Sequence, residues 1–191
     1  MDMLTDWYQQ LEAVKEYLCQ QDPQLQVLFT AVDGDRFRLH TVIKSAYTAL
    51  VAAIIGQKIS YVTAKKLRGQ LYARYGLSFT PDQLKSADLS FLGTSAAGTI
   101  AAVTNYILDH NIDLSTETNI RSLEAVQGIG PWTVETTLLT CLANWDIFPQ
   151  GDKFLQKNMK RLYGPHCDIA AISARWTPYR SVVTWYLWRW F

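Results

Sequence analysis

Two features in the second half of this 191-residue chain have the residue types and spacing for chemistry. One is a lone carboxylate, Asp152, set in Pro149-Gln150-Gly151-Asp152-Lys153 just ahead of a helical pattern carrying Phe154, Leu155, Met159 and Leu162. Such an Asp can serve as an N-cap that accepts backbone N–H bonds. In a dry site it can also stabilise positive charge growing on a reacting group, and orient or deprotonate a water. The other feature is Gly128-Ile129-Gly130, followed by Pro131 and Trp132. Glycines permit φ > 0 and close approach of another backbone, and Pro131 suits a first helical position, where its missing N–H leaves nothing unpaired. The helix that follows points its amides and positive dipole end outward, a geometry that receives a phosphate with little demand on sequence. A plain αα-hairpin uses the same turn, so the glycines alone leave both readings open.

The elements that must position these residues are read from apolar spacing. Leu123 to Gln127 reads as the end of a short helix, and a second helix, apolar through Leu142, starts at Pro131. Asn144-Trp145-Asp146 with Phe148-Pro149 forms a connector delivering Asp152. Upstream, Trp7, Leu11, Val14 and Leu18 predict a helix that ends near Asp22-Pro23. The apolar patch Leu25 to Val32 leads to a turn at Asp33-Gly34-Asp35, flanked by a short strand or a loop. Tyr47 to Tyr75 predicts one or two helices with a stripe through Leu50, Ala53, Ile54 and, after an interruption at Gly56-Gln57, Ile59, Val62 and Leu67. Pro81 opens another helix, and Ser90 to His110 holds a further pair. Gly98 weakens that stretch by about 1 kcal/mol relative to Ala, as a helix needing close packing would accept. An aromatic-rich helix, Tyr179 to Phe191, closes the chain, with Tyr179, Val183, Tyr186, Leu187 and Trp190 suited to a core.

Net charge is +1, which alone argues against a nucleic-acid partner, but the charge is uneven. Seven acids and one base precede Arg36; from Arg36 to Pro81 there are eight bases and no acid. Beyond Asp152 seven bases face only Asp168. That asymmetry can build one basic face, or simply line solvated helices. The three cysteines, Cys19, Cys141 and Cys167, supply neither a disulfide framework nor a four-thiolate cluster. With no apolar run long enough for a bilayer and no signal-like leader, a cytoplasmic protein without membrane contact is expected.

The chain resembles the helix-hairpin-helix superfamily of DNA base-excision glycosylases, and within it the alkylated-base branch, the 3-methyladenine DNA glycosylase II family. QGIGPWT at 127–133 matches the hairpin, Asp152 the aspartate that follows it, LVAAIIGQKIS at 50–60 a branch motif, and RWTPYRSVVTWYLWR at 175–189 the C-terminal signature. The match runs from about Leu50 to the C-terminus.

The resemblance implies an all-α fold of two helical lobes with a DNA-binding cleft. Residues 46–144 would form the central lobe, with the helix-hairpin-helix at about 123–142, and residues 1–45 would join 145–191 in the other. The N-terminal segment is too short for the β-rich domain that some members carry. Asp152 takes the catalytic position, and Trp132 and Trp188 line the base pocket. Gln57, Lys58, Ser60, Gly128, Ile129, Gly130 and Thr133 fall on DNA-binding positions. Lys58 stands where relatives fill the gap left by the extruded base, often with Leu or Gln; a longer, charged side chain suits a phosphate or base-edge contact equally well. Backbone carbonyls of Glu124, Val126 and Ile129 are implied to hold a monovalent cation. LGTSAAGTIAAV at 92–103 departs from the family, lacking the bases that relatives place there.

The expected activity is that of a monofunctional glycosylase. It flips out alkylated, cationic purines from double-stranded DNA and hydrolyses the N-glycosidic bond, leaving an abasic site. Bifunctional relatives carry a Schiff-base lysine where this chain has Trp132, and tryptophan cannot form that adduct. No cofactor is required, no iron-sulfur cluster is expected, and a nucleoid-associated monomer follows. The alternatives are a non-catalytic DNA-binding module, in which Asp152 is only a cap, and a helical interaction protein whose bases are solvated.

Overall fold

The structure, a computed structural model, describes residues 3–32, 45–141 and 144–190. The turn at Asp33-Gly34-Asp35, the bases Arg36, Arg38 and Lys44, the side chain of Trp7, Leu142 and Phe191 lie outside the described residues. Among those described, every regular element is helical. The all-α expectation holds, and the chain divides into two compact units, 42–143 and 1–41 with 144–191.

In the unit 42–143 the central element is α3 (Ala46–Gly56), buried without a break from Tyr47 to Ile55. An element apolar on every side has to sit inside others. Packed on it are α8 (Pro131–Cys141), α4 (Tyr61–Tyr75) and α6 (Thr94–Asp109); α5 (Pro81–Lys85) adds to α6, and α7 (Glu117–Ser122) to α8. Pro81 opens α5 as expected, and Thr80 and Gln83 close a capping box around it. The stretch 90–110 holds a single 3-10 turn, Ser90–Leu92, ahead of the long α6.

Two readings of this region change. The stripe does not run through Ile59 and Val62, which are 41% and 76% exposed. The helix stops at Gly56 and restarts at Tyr61, so the phase is reset and α4 buries Ala64 and Leu71 instead. Gly98 has no heavy atom within 4 Å of where a Cβ would stand, so close packing is not what places glycine there.

Tyr47 lies in this core with its hydroxyl hydrogen-bonded to Thr104. Burial pushes its phenol from 10.0 up to about 12, against a smaller downward pull from the Thr104 hydrogen bond. Between those two values the unfolded chain releases a proton that the folded chain keeps. Stability is therefore fully present below pH 10.0 and is lost as pH rises toward about 12. Urea titrations at increasing alkaline pH are expected to show this loss, with a shallower slope for Tyr47→Phe.

The other unit comprises α1 (Met3–Gln21), α2 (Leu25–Ala31), α9 (Lys153–Tyr163), α10 (Ile169–Ala174) and α11 (Arg180–Leu187). Its core joins Leu11, Val14, Leu18, Leu25 and Leu28 from the N-terminal helices to Phe148, Leu155, Met159, Trp176 and Tyr186. Asp22, which the sequence reads as part of a polar helix end, is 2% exposed. Its Oδ2 accepts from Tyr163 Oη at 2.9 Å, Trp176 Nε1 at 3.1 Å and Arg175 at 3.1 Å. A buried carboxylate needs such donors. They tie the start of the chain to its end. The closing helix is shorter than expected, because α11 stops at Leu187.

Candidate functional site

Asp152 is built by a connector that is clamped rather than loose. Asp146 pairs with Arg180, with Arg180 Nε donating to Oδ1 at 2.6 Å. Ser181 Oγ donates to Asn144 O at 2.6 Å and accepts from Ile147 N at 2.8 Å, and Thr184 Oγ1 donates to Ile147 O at 3.1 Å. Phe148 is buried and Asp152 N donates to Pro149 O at 2.9 Å. The turn thus delivers Asp152 to the first turn of α9 in one orientation. Sequence reasoning missed Ser181 and Thr184, although two hydroxyls three residues apart in an apolar helix are a usable signal of a polar tie.

The Asp152 side chain is 8% exposed and divides its oxygens between two tasks. Oδ1 accepts from Phe154 N at 2.8 Å and Leu155 N at 3.0 Å, the N-cap geometry. Oδ2 accepts from the indole Nε1 of Trp188 at 3.2 Å. Capping and a further role are therefore compatible, because one oxygen suffices for the cap. The N-terminus of α9 favours negative charge at this place. Trp188, read from the sequence as a pocket wall, is half-buried and is also a hydrogen-bond donor to the candidate catalytic carboxylate.

In the other unit, α7 and the 3-10 turn Leu123–Ala125 lead into the glycine turn. Ile129 N donates to Val126 O at 3.0 Å, and Gly130 O accepts from Thr133 N at 2.9 Å to start α8. Only one of the two glycines is conformationally required. Gly128 has φ +92°, and a Cβ there would stand 2.8 Å from Thr99 Oγ1. Gly130 has no heavy atom within 4 Å of a Cβ position, so packing does not require glycine there. The close neighbour at Gly128 is a side chain, not the second backbone that the sequence suggested.

Gln57 connects this turn to the end of α3. Its Nε2 donates to Gly128 O at 2.9 Å and Thr133 Oγ1 at 2.8 Å. Thr133 is 2% exposed, and its hydroxyl and N–H both bond within the chain. Ser60 Oγ caps α4 by accepting from Thr63 N at 3.2 Å. Lys58 sits between these, exposed, with φ +57°, a left-handed conformation that costs a non-glycine residue energy. Trp132 is half-buried, its Cη2 lying 3.6 Å from where a Gly56 Cβ would be. The structure thus brings together Gln57, Gly128 and Thr133 in one unit, and Asp152 and Trp188 in the other.

Gln57→Leu removes two hydrogen bonds and leaves the hydroxyl of the buried Thr133 without its donor. A loss of about 1–3 kcal/mol of stability is expected, read as a lowered urea midpoint.

No family model matches the chain. The Mycobacterium tuberculosis protein named "Probable bifunctional transcriptional activator/DNA repair enzyme AlkA" is 30% identical over 187 residues, covering 87% of this chain and 37% of that protein. DNA-3-methyladenine glycosylase 1 of Schizosaccharomyces pombe is 25% identical over 171 residues, covering 76% of this chain and 72% of the relative. The solved structure of the S. pombe 3-methyladenine DNA glycosylase in complex with abasic DNA superposes with a TM-score of 0.74 at 24% identity, over 93% of this chain and 95% of that one. The chain belongs to the helix-hairpin-helix DNA glycosylase superfamily, in its 3-methyladenine DNA glycosylase II branch. It spans little more than a third of the mycobacterial relative's length. In this glycosylase-family chain the hairpin is the α7–turn–α8 segment, and Asp152 is the cap of α9. No described helix is long and apolar enough to cross a membrane.

Proposed function

We propose that this protein is a monofunctional DNA glycosylase that removes alkylated, cationic purines from double-stranded DNA by hydrolysing the N-glycosidic bond. The observation that carries the reading is Asp152: a largely buried carboxylate with one oxygen spent on the helix cap and the other held by Trp188. Breaking the C–N bond leaves positive charge on the deoxyribose, and a carboxylate shielded from water stabilises that charge strongly. The same group orients the attacking water and takes its proton, while the electron pair of the broken bond leaves with the base. Extruding the base costs a few kcal/mol, least for a damaged pair.

A base alkylated on a ring nitrogen carries positive charge, which an indole face attracts by about 1–2 kcal/mol. That is modest discrimination, so much of the selectivity lies in the alkylated base being a good leaving group. Tryptophan at position 132 offers no amine for a Schiff base, so the product is an intact strand with an abasic site.

Binding rests on the hairpin and the α3–α4 turn. Among the described residues the amides of Gly128 and Gly130 donate to no group of the chain, and they stand at the N-terminus of α8, where a phosphate oxygen is well received. Lys58 lies on the exposed turn beside Ile59, Tyr61 and Val62, all exposed. The Val126 carbonyl closes the hairpin with Ile129 N–H and keeps a second lone pair. The carbonyls of Glu124 and Ile129 supply further neutral oxygens of the kind a monovalent cation takes, and such an ion would add positive charge near the phosphate. DNA contact through phosphates is further expected to weaken with salt.

The test is release of free base from methylated duplex DNA, with alkali cleavage revealing abasic sites, run beside borohydride trapping. Release of 3-methyladenine or 7-methylguanine without a trapped adduct is expected. Salt-sensitive duplex binding with no base released would instead favour the non-catalytic DNA-binding module, and a trapped adduct would overturn the monofunctional reading.

A further inference from the structure

We propose that Asn158 is a positioning residue for this site, fixing the end of α11 so that the Trp188 indole donates to Asp152. The inference rests on the glycosylase reading for its catalytic consequence, but its geometry stands apart from it. Asn158 lies on α9 and is 3% exposed, a buried amide on an otherwise apolar face with Leu155 and Met159. Its Nδ2 donates to Leu187 O at 2.7 Å and to Trp190 O at 3.0 Å. These carbonyls bracket Trp188.

The last carbonyls of a helix have no partner within it. Many helices satisfy them with a glycine just past the end, but Trp188-Arg189-Trp190 contains none. Here Leu187 O, which also accepts from Trp190 N at 3.4 Å, takes one N–H of a carboxamide from another helix, and the second N–H of that carboxamide goes to Trp190 O, a carbonyl just past the helix end. Because α9 begins at Asp152, the same helix holds both the acceptor of the Trp188 indole and the anchor of its backbone. The two lie six residues, about 9 Å, apart along the axis. Trp188 is thereby tied to α9 at its backbone neighbours and at its side chain.

Placing the indole donor matters because it sits on the Asp152 oxygen not used by the cap. An indole that drifts leaves that oxygen without its donor and changes where the carboxylate points. Displacements of about 1 Å in a positioned group can cost on the order of 100-fold in rate.

The test compares the full chain with Asn158→Leu, of similar volume and no donors, and Asn158→Asp, of the same shape and no N–H. Both are assayed for single-turnover base release, affinity for an abasic duplex, and the 15N–1H resonance of the Trp188 indole, assigned by its loss in Trp188→Phe. Positioning predicts a moved indole resonance in both variants, release slowed on the order of 10- to 100-fold, and duplex affinity changed by less than about twofold. A folded Asn158→Leu whose indole resonance stays at the wild-type position overturns the proposal, as does wild-type single-turnover release. If Asn158→Leu does not fold, Asn158→Ser, which keeps a hydroxyl donor without the bulk, takes its place. Wild type that releases no base overturns the glycosylase reading instead, and the indole resonance then decides the positioning alone.

Discussion

Asp152→Asn is expected to lower base release on the order of 1000-fold while leaving the fold and duplex binding in place. The two halves of that prediction come from the division of labour within one side chain. Asn is as good an N-cap as Asp, and its Oδ1 can still accept from Phe154 N and Leu155 N, so stability should change by less than about 1 kcal/mol. What the amide lacks is the negative charge that offsets the cation forming on the sugar, a contribution of the size measured for preorganised electrostatic groups in dry sites. It also turns an N–H2 toward the Trp188 indole N–H, two donors facing each other, which disturbs the site locally. Asp152→Ala differs in kind, because it loses the cap as well, costing about a further 1 kcal/mol. The measurements are single-turnover release from methylated duplex, thermal melting and abasic-duplex affinity. Comparable rates for Asp152→Asn and wild type would leave Asp152 as a cap alone.

Gly128→Ala is expected to be the most damaging single change in the hairpin, and to act through stability. A side chain at φ +92° is strained, and the new Cβ would meet Thr99 Oγ1 at 2.8 Å and Thr99 Cγ2 at 3.0 Å. Left-handed strain and overpacking together amount to about 2–4 kcal/mol. Because Gln57 holds the Gly128 carbonyl, a shift of the turn also pulls on the end of α3. Thr99→Ala should recover the part due to the clash and none due to the dihedral, so the double mutant separates the two. Gly130→Ala is the contrast: its surroundings are open, so melting should not move, whereas duplex affinity should fall if the bare amide meets phosphate. Full stability in Gly128→Ala would show that the turn relaxes at no cost.

Local chemistry made part of this molecule readable. Asp152 as the cap of α9, with contacts two and three residues on, and Pro131 and Pro81 as openers of α8 and α5 are all local features. The burial of α3 follows from an apolar run that no solvent-facing helix would tolerate. The stripe through Ile59 and Val62 failed because the break at Gln57 to Ser60 resets helical phase, and a periodicity reading cannot carry across a turn of unknown angle. Gln57 and Thr133 were recognised by motif as DNA-binding positions, whereas what the structure displays is an internal tie between them.

The sequence by itself determined the helices of the described residues, a glycine-turned hairpin, and a carboxylate, Asp152, at the start of α9, because helix formation, turns and caps are decided within a few residues. Only the tertiary structure decided who meets that carboxylate. Trp188 reaches Asp152 from 36 residues away, Asn158 holds Leu187 from 29, and Tyr163 meets Asp22 across 141. Such bonds form where packed helices happen to bring a buried donor and acceptor together, and once water is excluded each must find its partner. No local propensity encodes that pairing; the shared core that joins both ends of the chain does.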